Sequence, residues 1–261
     1  MKIVAWLIPL ALLLGEPHAQ AALSPRVVGD VAVDARPGAL LPLSLGLIDD
    51  HGTPRTLGDA LGGRPSVLIF ADYTCRTLCG PILEFAVNGL EHSGLKPGAD
   101  YRLVVIGLDP KDGLAEARAM RSAHLDGSAL SDATTMLIGN DAAVRIITQA
   151  AGYHYAYDAE HDQFAHPAAA YVISPQGRIA RVLSGIGLDG ADLRLALVDA
   201  GEGRIGTFID HIRLLCYGFD AAQGIYTSAI ERWLMAGAAA TVLIIAGWLL
   251  VLVRHARGRA A

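Results

Sequence analysis

The chain has 261 residues, of which 52% are hydrophobic and 18% charged, and a formal net charge of −5. A charged fraction below the roughly 25% of soluble globular domains places part of the apolar excess in targeting or membrane segments. No run of Lys or Arg longer than a pair occurs before the C-terminus, so a nucleic-acid partner has no electrostatic footprint and that class is set aside.

In chain order, residues 1–21 read as a secretory signal. Lys2 precedes an apolar run over 3–14, and the small residues Ala19 and Ala21 flank Gln20, which points to cleavage after about residue 21. An uncleaved anchor is the alternative, although twelve apolar residues are short for a bilayer. An extended segment over 22–40 leads into a domain expected over 41–203.

The domain opens with a weakly alternating stretch over 41–48 that runs into DDHGT, which predicts an early hairpin. SVLIF at 66–70 is a short continuous apolar strand, and after DYTCRTLCGP the spacing over 82–90 predicts a helix. A buried strand over 101–108, a helix over 114–125, a strand over 134–138 and a helix opening at Asn140 repeat the alternation. Strands over 168–173 and 178–183 are joined by SPQG, a tight-turn sequence, and a helix over 191–198 closes the domain. Alternating strands and helices with a terminal hairpin indicate an α/β sandwich with a mixed sheet. A dithiol at the junction of the first core strand and its helix narrows this to a thioredoxin-like arrangement.

Residues 204–232 are too apolar for a loose tether and are expected to pack on the domain or the bilayer surface. Residues 233–253 contain no charge over 21 positions, enough to cross roughly 30 Å of hydrocarbon as a helix. Arg254, Arg257 and Arg259 follow it, an excess that keeps the tail over 254–261 cytoplasmic and turns the body outward. The domain is therefore expected in the periplasm or on the outer face of the cytoplasmic membrane. There an idle thiol pair tends to oxidise.

Cys75 and Cys79 are separated by three residues. At the start of a helix this i, i+4 spacing would put both sulfurs on one face, where the exposed amides of the first turn favour thiolates. Thiolates serve metal binding and thiol exchange alike, so helix onset leaves both open. Two thiolates with one imidazole suit Cu(I), whereas a closed structural zinc site wants four protein ligands. His154 and His161 lie in a polar stretch that reads as a surface hairpin. His166 precedes Pro167 and a buried strand, and in a thioredoxin-like fold the loop entering that strand faces the dithiol, which makes it the candidate third ligand. Cys216 reads as a small membrane-proximal hydrophobe, with an auxiliary thiol as the sharper alternative. Asp109 reads as a turn residue of DPKDG or as a carboxylate holding the cysteine loop.

SVLIFADYTCRTLCGP, VVIGLDP, FAHPAAAYVISPQGRIAR and LLCYGFDAAQGIY before an apolar anchor together resemble the Sco/SenC family of copper chaperones for cytochrome c oxidase assembly. The resemblance covers roughly residues 40–227 and its C-terminal part is similar to an anchored bacterial branch. It implies copper, as Cu(I) with Cu(II) as an alternative, on Cys75, Cys79 and His166. It also implies delivery to an oxidase subunit or another cuproprotein, with a thiol reductant as a further partner. Many members have Pro after the first cysteine, Asp before the histidine and a small residue after it; this chain has Arg76, Ala165 and Pro167 there. The competing expectation is a thiol:disulfide oxidoreductase in which Cys75 and Cys79 alone are catalytic and reduce the target's ligand cysteines through a mixed disulfide.

Overall fold

The computed structural model describes residues 31–75, 79–159, 162–184 and 188–202, together with short stretches at 217–220, 225–228 and within 238–248; of Cys79 and Ser184 it describes the backbone alone. Strand β1 (Ala32–Val33) is followed by the hairpin of β2 (Gly46–Asp49) and β3 (Pro54–Thr56). The hairpin starts later than the alternation over 41–48 predicts. Pro42 has no N–H to give a ladder, and Leu41 instead lies in the core. Asp49 shapes the turn, its Oδ1 accepting from the N–H groups of His51 and Thr53 at 3.0 and 2.8 Å.

Helix α1 (Leu57–Leu61) opens with a capping box between Thr56 and Asp59. Strand β4 (Ser66–Ala71) leads to helix α2 (Cys79–His92), then β5 (Arg102–Gly107), α3 (Leu114–His124), β6 (Thr134–Ile138) and α4 (Asp141–Ala151). Asn140 caps α4 by accepting from the Ala143 N–H, as its position in the sequence predicts. The short strands β7 (Tyr153–His154), β8 (Ala156–Asp158) and β9 (Gln163–Ala165) precede β10 (Ala169–Ile173) and β11 (Ile179–Ser184). Helix α5 (Gly190–Ala200) follows, and β12 (Tyr217–Asp220) pairs with β13 (Ile225–Ser228).

Seven strands form one mixed sheet in the order β11-β10-β4-β5-β6-β2-β3. The centre β4-β5-β6 is parallel, and the strands at both sides run antiparallel to it. This is the mixed α/β thioredoxin-like architecture. Every residue of β4 is buried, which explains why SVLIF reads as a continuous apolar run rather than an alternating one. Val67, Ile69 and Ala71 join one core with α2, α3 and α5, whereas Leu68 and Phe70 join the other with α1 and α4. The period of two thus assigns side chains to two layers even where every residue is apolar. In the turn between β10 and β11, Gly177 has φ +79°, and a Cβ there would lie 2.5 Å from Leu43; both conditions select glycine.

Among the described residues no helix is long and apolar enough to cross a membrane. Most of the segment over 233–253 lies outside the described residues, as do the signal segment over 1–21, Cys216 and His161. Within the apolar segment residues 240–245 are helical, and Val242, Leu243, Ile244 and Ile245 are exposed.

Candidate metal centre

The sheet topology brings the two halves of the centre together. Strands β4 and β10 are antiparallel neighbours, with Ala170 opposite Ile69 and Ile173 opposite Ser66. The chain therefore leaves β4 towards Cys75 at the same sheet end where it enters β10 from His166. Cys75 is half-buried and packs on the core beneath α2.

Cys75 itself is not helical, a correction to the expectation that both cysteines share the first helical turn. Helix α2 is described from Cys79 onward, and Cys75 belongs to a turn in which its N–H donates to the Asp72 carbonyl at 3.2 Å. The reason lies in Asp72, whose Oδ1 accepts from the Thr74 N–H and the Thr74 hydroxyl, both at 3.0 Å. This side-chain turn competes with helix and wins for residues 72–75. Cys79 lies in α2, and its side chain is outside the described residues.

Three further groups support the turn. The Tyr73 N–H donates to Asp112 Oδ2 at 2.9 Å, and the Tyr73 hydroxyl reaches the carbonyls of Leu137 and Val105 at 2.8 and 3.1 Å under the sheet. Gly107 gives that ring its place, since a Cβ there would come within 2.8 Å of it. The Phe164 N–H donates to Asp72 Oδ2 at 2.9 Å. Phe164 stands two residues before His166, so one fully buried carboxylate ties the cysteine loop to the histidine arm.

On that arm, Tyr153 Oη lies 2.8 Å from His166 Nδ1 and 2.9 Å from the Pro167 carbonyl. Burial holds the His166 pKa below the usual histidine range, opposed by the Pro167 carbonyl and by the negative charges of Cys75 and Asp72. Cys75 and His166 thus lie at the same sheet end, with the thiolate charge acting on the imidazole. A thiolate beside a neutral imidazole is a soft donor pair suited to Cu(I).

Beneath the turn, burial pushes the Asp112 carboxyl up to about 6; the Tyr73 N–H opposes this, and the charges of Asp72 and Asp109 add to it. Asp109 occupies the local role, its Oδ1 accepting from the Lys111 N–H at 2.8 Å. The carboxylate that holds the cysteine loop is Asp112, three residues further on.

His154 stands apart. It sits in β7 paired with β1 rather than in the β8–β9 hairpin, and its Nε2 lies 3.4 Å from Asp34 Oδ2 with the side chain more than half exposed. Among the described residues no three His, Cys, Asp or Glu side chains form a metal-holding group, and the proposed set depends on Cys79 for its third donor. Asp72, Asp112 and Tyr153 escaped the sequence reading. DYT before the first cysteine, a side-chain-turn sequence, was the one local signal for Asp72.

The SCO1/SenC family model matches residues 36–192. A solved structure from Aquifex aeolicus VF5 is similar at 21% identity and TM-score 0.56, covering 65% of this chain and 96% of its own. A SCO1/SenC family lipoprotein from Bacillus anthracis str. Ames is similar at 18% identity and TM-score 0.51, over 61% and 93% of the two chains. Arabidopsis thaliana ScoI, solved with copper bound, is similar at 18% identity and TM-score 0.50, over 63% and 98%. These likenesses carry the fold. No curated protein matches the chain.

Proposed function

The chain belongs to the SCO1/SenC family, and from that premise we propose that it is a chaperone that binds one copper ion through Cys75, Cys79 and His166 and hands it to a cuproprotein, a cytochrome c oxidase subunit in the first instance. The observation that carries this reading is the convergence of Cys75 and His166 at one end of the β4–β10 pair, close enough for the thiolate charge to bear on the imidazole. Copper in a similar fold, in Arabidopsis thaliana ScoI, supports the choice of metal.

Delivery proceeds by ligand exchange. A three-coordinate ion held at a strand end leaves one side open, and incoming thiolates of the target replace the donors one at a time. No bond of the protein is made or broken. The neutral, half-buried His166 is the donor that leaves with least electrostatic cost, since Cu(I) loses no anionic partner when it departs.

The same reading includes a cleaved signal over 1–21, an anchor over 233–253 and an outward-facing domain. Its support is the uncharged run of 21 residues followed by arginines. Release of the protein from the membrane fraction on deletion of 233–253 tests it, and retention would contradict it.

Cu(I) titration of the reduced full-length chain against a competing chelator tests the copper reading. Wild type takes up one equivalent, and Cys75→Ser, Cys79→Ser or His166→Ala weakens it. Wild-type affinity no better than that of a simple dithiol peptide, together with Cys75-dependent reduction of a target disulfide, would replace the chaperone with the oxidoreductase.

A further inference from the structure

The hydrogen bonds around His166 decide which ring nitrogen carries the proton. Three atoms lie within hydrogen-bond distance of one another: Tyr153 Oη is 2.9 Å from the Pro167 carbonyl oxygen and 2.8 Å from His166 Nδ1, and Nδ1 is 3.2 Å from the same carbonyl. A carbonyl oxygen only accepts, and a tyrosine hydroxyl has one proton to give. If that proton goes to the Pro167 carbonyl, Nδ1 must be the donor to the tyrosine oxygen. In the opposite tautomer the hydroxyl would donate to Nδ1, and the carbonyl would face two lone pairs at hydrogen-bond distance with no proton from either.

Burial makes the second arrangement costly. Tyr153 is 3% exposed, and a buried acceptor facing other acceptors loses its solvation without compensation. The tyrosine cannot turn away. Its ring stacks on Phe70 with centroids 4.5 Å apart and meets Tyr171 edge-on at 6.1 Å, while its backbone is held in the β1–β7 pair. Pro167 contributes a second constraint, since a proline confines the preceding His166 to extended backbone.

We infer that Tyr153 is the positioning residue of the copper site: its hydroxyl holds the His166 proton on Nδ1 and leaves Nε2 as the metal-binding nitrogen, an assignment that rests on the copper reading. The partner on one imidazole nitrogen sets the chemistry of the other, and ligating histidines are held in this way by donation to an oxygen acceptor. Here a neutral hydroxyl backed by a carbonyl takes that place.

The test uses the full-length chain labelled with nitrogen-15 at histidine, in detergent, at about pH 8, above the ordinary histidine range. Two-bond proton–nitrogen correlation spectra read which nitrogen of His166 is protonated, with the signal assigned by its loss in His166→Gln. Wild type shows the proton on Nδ1. Tyr153→Phe keeps the aromatic packing, yields a mixture of tautomers and lowers Cu(I) affinity by about 10- to 100-fold. A wild-type protein that binds Cu(I) with its proton on Nε2 overturns the assignment and leaves the copper reading intact, as does a folded Tyr153→Phe with unchanged tautomer and affinity. Wild type that binds no Cu(I) removes the copper reading, and the ligand role of Nε2 with it. Should Tyr153→Phe fail to fold, the wild-type spectrum decides alone.

Discussion

The two arms of the centre are held by different chemistry. The cysteine arm, residues 72–75, hangs on two buried carboxylates, Asp72 and Asp112, whereas the histidine arm rests on a neutral hydroxyl and a proline carbonyl. A carboxylate is a strong, charged acceptor, whereas a hydroxyl is a neutral group that both donates and accepts. The cysteine arm also holds Asp112, the carboxyl that burial pushes up to about 6. Asp72 alone belongs to both, through its bond to the Phe164 N–H.

The largest expected effect comes from cutting that link. Asp72→Ala strips the acceptor from the Thr74 N–H, the Thr74 hydroxyl and the Phe164 N–H, and should cost about 3 kcal/mol in urea unfolding, with Cu(I) affinity lost alongside. A variant of wild-type stability would show that the arms stand independently.

Gly107→Ala separates the arms instead. Its Cβ would meet the Tyr73 ring at 2.8 Å, and that ring is pinned by its hydroxyl, so overpacking of about 1–3 kcal/mol is expected. Displacement of Tyr73 should change the alkylation rate of Cys75 while the His166 nitrogen spectrum stays as in wild type. A shift in the histidine spectrum of equal size would contradict the division.

The smallest effect sharpens the comparison through pH. The folded pKa of Asp112, about 6, lies above the ordinary 3.8. Between these values the folded state keeps a proton that the unfolded chain has lost, so this group makes stability fall as pH rises through that window. The span is at most about 3 kcal/mol by the pKa difference, and relaxation of the site reduces it. Asp112→Asn should flatten the stability profile between pH about 4 and 6 relative to wild type, and an unchanged profile would mean that Asp112 stays ionised when buried.

Much of this fold was legible residue by residue. SVLIF and the apolar residues 103–106 are buried on both faces and advertise it as nearly continuous apolar runs. The Asn140 cap and the backbone turn of SPQG close on groups within four residues of themselves, so those signals are local. Cys75 and His166 were legible because soft donors beside a strand end are rare enough to stand out. The supports were not, because they act on distant backbone: Asp72 bonds Phe164 across 92 positions and Asp112 bonds Tyr73 across 39. No periodicity encodes such a bond. The same blindness hides the turn at Cys75, since a helical spacing of cysteines says nothing of a carboxylate that draws the preceding residues into a turn.

X-ray absorption at the copper edge of the full-length chain carrying one equivalent of Cu(I) tests the central claim most directly. The account predicts two sulfur neighbours and one nitrogen in wild type, with the nitrogen lost in His166→Ala. Two sulfurs without nitrogen in wild type, or a spectrum that His166→Ala leaves unchanged, would show that the two arms do not close on one ion.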